Sequence, residues 1–288
     1  MVSTEAPWWR GADPGRRLEG KRAFVTGGGT TPGGELLGIG EAIAVLFAAQ
    51  GAKVAVADIS AERAAATLEL IEQVGGEAIA AVGDLTQESE AKRCVDQAAE
   101  AFGGLDTVVN CAAVSPTSGG RPAELDLAEW DRVMTINLHA VLLTVRAAIP
   151  HLQEGGGGSI VNISSIAASR GLGSGAYAAS KAAMGGLTRD WAFLHGREGI
   201  RVNCILPGHV YTPMGDQGGE RLRKMRLRSA LVPTEGVAWD IAWPAVFLAS
   251  DESRWMTALE IPVDGGTTSI TPLGGWMVNL RDPDPDEA

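Results

Sequence analysis

Tyr177 and Lys181 stand one helical turn apart in Tyr177-Ala178-Ala179-Ser180-Lys181, so a phenol and an ammonium share one helix face. A free tyrosine hydroxyl ionises near pH ~10, too high for proton transfer at neutrality. A neighbouring ammonium favours the phenolate, so Lys181 is expected to lower the Tyr177 pKa. The pair has the composition of a general acid/base with its own electrostatic support. The residues after it, MGGLTRDWAFLHG, are apolar at helical spacing and predict a helix from Tyr177 to about His195.

A hydroxyl belongs with them. The apolar-rich run Ser159-Ile160-Val161-Asn162-Ile163 reads as a buried strand, and Ser165 follows it at the C-terminal edge of a parallel sheet, where doubly wound folds bind ligands. Upstream, Ala23-Phe24-Val25-Thr26 reads as a first strand that enters a glycine-rich loop ending Gly38-Ile39-Gly40. The helix EAIAVLFAAQ, Gly51 and a second strand, Lys53–Ala57, follow, closed by Asp58. Strand, glycine loop, helix, strand and carboxylate come in the order of a dinucleotide site. The helix N-terminus meets the pyrophosphate and the carboxylate meets the ribose hydroxyls.

With these residues, the chain resembles the short-chain dehydrogenase/reductase family over about residues 20–268. The resemblance rests on Thr26-Gly27 with Gly38-Ile39-Gly40, on Asp58, on Asp84 in GDLT and on Asn110 in NCAA. Asn137 in INL, Ser165 in NISS, Tyr177/Lys181, Pro207-Gly208 and VDGG at Val263–Gly266 complete it. It implies an α/β fold, a doubly wound parallel sheet of Rossmann type in a single domain. Residues 1–19 would be an extension, 20–268 the dehydrogenase domain with a lid at about 212–231, and 269–288 a tail.

The resemblance also implies roles. Tyr177 would be the general acid/base, Ser165 (with Ser164 as competitor) would hydrogen-bond the substrate oxygen, and Lys181 would bind the nicotinamide ribose. Asn137 would hold a water in a proton relay, or be a polar residue satisfied inside a helix. Cofactor contacts would come from Gly27, Gly38, Ile39, Asp58, Tyr177 and Lys181, with Asp84 and Leu85 at the adenine and Asn110 and Ala112 at the adenosine-side strand end. After Pro207-Gly208, Val210 and Thr212 would reach the nicotinamide carboxamide. The nearest cation after Asp58 is Arg63, several residues on, which points to NAD over NADP.

Three departures stand out. NCAA replaces the family's NNAG, so Cys111 and Ala113 read as packing residues. The Ser165–Tyr177 spacing is one residue short. Between Gly27 and Gly38 lie residues 28–37, ten where the family has three. The insertion either loops out beside the adenosine ribose, the favoured placement, or folds over the pyrophosphate and offers Thr30 or Thr31. His209 reads as polar surface, and Arg221–Arg228 (RLRKMRLR) as the solvated face of a lid helix.

A chain of 288 residues, 45% hydrophobic, can bury one substantial core. No apolar run approaches the roughly 18 residues of a membrane span, and the first residues have no apolar signal core. Cys94, Cys111 and Cys204 cannot all pair and follow no metal spacing, so reduced thiols in a cytoplasmic protein are expected. A net charge of −11 argues against nucleic acid and anionic membranes. The tryptophans, Trp239 and Trp243 among them, read as core or subunit-contact residues. The resulting expectation is an NAD-dependent oxidoreductase acting on a secondary alcohol or ketone, assembled as a homotetramer, with no metal. The alternatives are a 3-oxoacyl-thioester reductase, whose carrier would need the basic run, and a non-catalytic nucleotide-binding regulator.

Overall fold

The structure, a computed structural model, describes residues 16–34, 36–117, 121–216, 219–271, 273–275 and 277. Seven strands form one parallel sheet in the spatial order β3-β2-β1-β4-β5-β6-β9. They are β1 (Arg22–Thr26), β2 (Lys53–Asp58), β3 (Glu77–Val82), β4 (Thr107–Asn110), β5 (Gly158–Ile163), β6 (Ile200–Pro207) and β9 (Glu260–Val263). Two short strands, β7 (Val210–Tyr211) and β8 (Gly236–Val237), pair with each other outside it. The strand order reverses between β1 and β4, and the crevice at such a switch point lies beyond the C-terminal ends of the strands.

Helices cover both faces, which explains why the strands read as continuous apolar runs. On one face lie α1 (Ile39–Ala49), α2 (Ala61–Gln73) and α8 (Ala238–Ala249); Ile43, Phe47, Val54, Val56, Ile241 and Val246 are buried among them. On the other lie α3 (Glu88–Phe102), α5 (Ala140–Glu154) and α6 (Ala176–His195), around Phe24, Val108, Leu152, Ile160 and Met184. Trp239 is buried in the first core as expected.

The predicted helix Leu127–Leu152 is built in three pieces: α4 (Leu127–Met134), a π turn at Thr135–His139, and α5. The wider turn carries Asn137, and such turns recur at functional sites. Together the pieces span residues 127–154, long and apolar enough to cross a bilayer by length and composition. Joining segments that charged residues interrupt makes this helix longer than the run-by-run reading of the sequence. Val141, Val145, Ala148 and Leu152 place it in the second core.

After β6 the chain leaves the sheet through β7, forms α7 (Gly219–Arg228) and returns at β8. Leu231 N and Val232 N donate to Gly265 O at 2.7 and 3.2 Å, tying the end of this excursion to the VDGG turn. The excursion contains the expected lid. Residues 1–15 of the extension and most of the tail, including Trp276 and Val278–Leu280, lie outside the described residues.

Candidate active site

A cleft of about 1220 Å³ runs along the C-terminal edge of the sheet, from Asp58 at one end to the excursion at the other. Gly27, Gly38, Ile39, Asp58, Ala112, Ser165, Tyr177, Lys181, Pro207, Gly208, Val210 and Thr212 all line it. Four expected residues do not line it. The Asn110 amide turns into the core, donating to Asn162 Oδ1 at 2.8 Å, and Asn162 in turn donates to Thr188 Oγ1 at 2.9 Å. Asp84 Oδ1 accepts from Thr86 N and Oγ1 at 3.0 and 2.7 Å, closing a local turn, with Leu85 buried beside it.

Asn137 is the fourth. Its Oδ1 accepts from Val114 N at 2.8 Å, and its Nδ2 donates to Val114 O at 3.0 Å and Ser180 Oγ at 3.1 Å. Every polar atom of this buried side chain is engaged, so it pins the segment after β4 to α6. Of the two expectations, its amide follows the satisfied-in-a-helix one.

The glycine loop is a close backbone contact. Gly27 has φ +65°, and a Cβ there would lie 2.7 Å from Ala112 Cα. A Cβ on Gly40 would lie 2.2 Å from Gly27 O. These two glycines let β1, α1 and the β4 edge converge. Gly38 differs: a Cβ there meets nothing within 4 Å, so the protein's own packing does not require glycine. Gly38 lines the cleft at the N-terminus of α1, where backbone N–H groups favour a phosphate, so the room its missing side chain leaves fits a dinucleotide.

Thr30 is buried; its N–H donates to Arg63 O at 3.1 Å and Thr67 Oγ1 at 3.0 Å, docking the loop on α2 beside Asp58. Thr30 and Thr31 also line the cleft. Beside them, Glu41 Oε2 accepts from Gly38 N at 3.1 Å, while Oε1 has no partner among the described residues; burial pushes this carboxyl up.

At the other end the acid/base cluster is assembled. Lys181 is 3% exposed and donates from Nζ to Ile163 O at 2.8 Å, tying α6 to the end of β5. Its Nζ stands 5.7 Å from the Tyr177 ring centroid. Ser164 Oγ donates to Lys181 O at 2.7 Å, which leaves Ser165 as the hydroxyl at the phenol. A 3₁₀ turn at Ile166–Ala168 follows Ser165, whose Oγ accepts from Ala167 N at 3.2 Å.

Burial acts against the expected lowering of the Tyr177 pKa. Burial pushes the phenol up, and the hydrogen bond with Ser165 pulls it back only in part. Lys181 is itself lowered by burial, and its ammonium is turned to a carbonyl and not to the phenol oxygen. Burial also raises the Cys111 thiol, on the cleft floor, to about 11.

The spacing of single residues does not reveal the rest of the wall. His209 lines the cleft instead of lying on the surface, and burial together with Arg226 lowers its imidazole. In α7, Arg223 pairs with Glu235 at 2.6 Å and lies 3.7 Å from the Tyr211 ring, and Arg226 donates to Gly215 O and faces the cleft. Only part of the basic run is therefore solvated. Leu172, Met214, Leu222 and Met225 give the substrate end an apolar lining. All three cysteines are free thiols, and the described residues contain no His/Cys/Asp/Glu group able to hold a metal.

A doubly wound sheet with a glycine-lined anion site and a Ser–Tyr–Lys cluster along one cleft defines a nucleotide-dependent oxidoreductase class. The family model described as enoyl-(acyl carrier protein) reductase matches residues 34–268. The 2,5-dichloro-2,5-cyclohexadiene-1,4-diol dehydrogenase of Sphingobium indicum is 36% identical over 251 residues, 87% of this chain and 97% of that protein. A variant of a Serratia marcescens short-chain dehydrogenase/reductase superposes with TM-score 0.79 at 33% identity, covering 88% of this chain and 99% of the other. A 7α-hydroxysteroid dehydrogenase solved with NADH and 7-oxo glycochenodeoxycholic acid superposes with TM-score 0.80 at 34% identity, covering 87% and 95%. The chain belongs to the short-chain dehydrogenase/reductase family and is an oxidoreductase of that family.

Proposed function

We propose that the protein is an NAD-dependent dehydrogenase that interconverts a secondary alcohol and its ketone, with Tyr177 as general acid/base. The observation that carries this is that Ser165, Tyr177 and the buried Lys181 line the same cleft as the α1 N-terminus and Asp58. Gly27, Gly38 and Ile39 would hold the pyrophosphate, Asp58 the adenosine ribose, and Pro207, Gly208, Val210 and Thr212 the nicotinamide end. The nicotinamide ring, when bound, supplies the hydride acceptor or donor.

The chain's own residues supply position and the proton. Ser165 orients the substrate oxygen, and Tyr177 takes its proton during oxidation or returns one during reduction. Lys181, fixed by Ile163 O, would hold the nicotinamide ribose. Asn137 would act by holding the segment at Val114 against α6 beside the proton relay. For Asp84, Leu85 and Asn110, adenosine contacts are proposed through the strand-end backbone, since the Asp84 and Asn110 side chains are otherwise engaged. Free thiols accord with a cytoplasmic setting, and the domain limits 20–268 stand as part of the same proposal.

The apolar substrate end and the ring-bearing substrates named for two relatives favour alicyclic secondary alcohols. A panel of alicyclic, aromatic and aliphatic secondary alcohols, followed by NADH absorbance, should show turnover with at least the alicyclic group. No reduction of NAD with any alcohol, and no oxidation of NADH with the matching ketones, would remove this reading.

The assembly is proposed to be a homotetramer. On α5 and α6, Leu142, Phe193 and Leu194 are 44%, 83% and 54% exposed, and Trp255 before β9 is 91% exposed. Exposed apolar side chains of this kind suit subunit contacts. Light scattering at micromolar concentration should give four times the 29.9 kDa chain mass, and a monomer mass would rule the assembly out.

A further inference from the structure

Helix α7 and the two residues after it present adjacent stripes to two different spaces. Leu222, Met225, Arg226 and Ser229 follow the i, i+3, i+4, i+7 spacing of one helical face and line the cleft. Arg223, Arg226, Leu227 and Ala230 repeat that spacing one residue on and line a second chamber of about 290 Å³. This chamber lies between α7, the β7–β8 pair and the turn at Val263–Gly265. Arg226 alone among the α7 residues belongs to both stripes, and His209 and Gly215 border both spaces with it.

Arg226 also differs in charge pairing from the other arginines of the two spaces. Arg63 is paired with Asp58 at 2.6 Å, Arg132 with Glu129 at 2.7 Å and Arg223 with Glu235 at 2.6 Å. Arg226 donates to the Gly215 carbonyl, and among the described residues no carboxylate pairs with it. The remaining acids of the chamber are engaged elsewhere. Asp240 accepts from Val237 N at 2.7 Å, and Asp264 accepts from Gly266 N and Thr268 N at 2.9 and 2.7 Å. His209 is held below its ordinary value by burial and by Arg226, which leaves a neutral ring able to donate one N–H. A half-buried guanidinium beside Leu222, Met214 and Met225 thus lacks a counter-charge from the protein, and its planar donors match a carboxylate in two-point contact.

We propose that Arg226 receives a carboxylate of the substrate at the border of the two spaces, so that the enzyme acts on secondary alcohols or ketones that carry an acid group. This deepens the alcohol/ketone reading of the cleft and rests on it. The test is a set of initial rates with NAD on the positional isomers of hydroxycyclohexanecarboxylate and on the matching carboxamides, which are neutral and nearly equal in size. The best acid should exceed its carboxamide by at least about tenfold in kcat/KM. Arg226→Gln should bring that ratio to within about threefold of one, chiefly by raising KM for the acid. Arg226→Lys, which keeps the charge, should keep the acid ahead by at least about threefold. Acid and carboxamide turned over alike, neutral alcohols turned over with no acid accepted, or a ratio that Arg226→Gln leaves unchanged would each overturn the inference and leave the alcohol/ketone reading intact. No turnover of these compounds or of any alcohol in the broader panel overturns both.

Discussion

Tyr177→Phe should lower kcat by about a thousandfold or more, close to 4 kcal/mol of barrier, while NAD affinity stays within about threefold. Phenylalanine keeps the ring that packs on α6 and removes only the oxygen that meets Ser165. A variant that retains even a tenth of wild-type kcat, a loss of only ~1.4 kcal/mol, would show that the proton moves through another group. The pH profile gives the same assignment a second reading. Oxidation needs the phenolate, and burial holds the phenol above its ordinary value, so oxidation should rise as pH increases through the alkaline range. Reduction needs the protonated phenol and should be kept at neutral pH and lost as pH rises. An oxidation rate flat between pH 7 and 10, measured under conditions where chemistry limits turnover, would contradict Tyr177 as the base.

Gly40→Ala and Gly38→Ala should separate two kinds of glycine that one motif carries. At Gly40 a methyl would lie 2.2 Å from Gly27 O, and that carbonyl belongs to a turn at φ +65° with no room to retreat from Ala112. Relief requires moving α1 from β1, at about 2–3 kcal/mol, and thermal denaturation should show a fall of about 5–10 °C. At Gly38 the methyl meets no protein atom, so Tm should stay within about 2 °C while dinucleotide affinity falls by about tenfold or more. If Gly38→Ala binds NAD like the wild type, the pyrophosphate does not lie where the α1 N-terminus points.

The legible parts of this protein are those whose chemistry is local in the chain. The Tyr177/Lys181 spacing needs only one helix, and Ser165 needs only the end of one apolar strand, so both are placed by periodicity before any packing is known. The alternation of strands and helices likewise yields the parallel sheet, because parallel strands require crossovers. What escapes is side-chain direction at element ends. Nothing in the spacing of Asp58 and Arg63 states that a capped α2 turns the arginine back on the strand. Asn137 is found by its motif, but its commitment to Val114 depends on a π turn that no periodicity marks. Asp84 is absorbed by Thr86 only two residues away, a competition between a local turn and a ligand that the sequence leaves open. His209 and Arg226 become cleft residues only once the excursion has folded over the sheet. The direction of the Tyr177 shift also depends on burial, which spacing does not show.

The excursion between β7 and β8 has its two ends hydrogen-bonded to each other, Val210 opposite Gly236 and Tyr211 opposite Val237. Whatever is inserted between them starts and finishes at the same place beside the sheet. A longer or shorter segment there changes the loop-closure cost only logarithmically and leaves the strand register alone. The stretch is thus an exchangeable cassette: grafts from relatives can be cut at these two strands, and natural divergence in what the enzyme accepts can proceed inside them while Ser165, Tyr177 and Lys181 stay untouched.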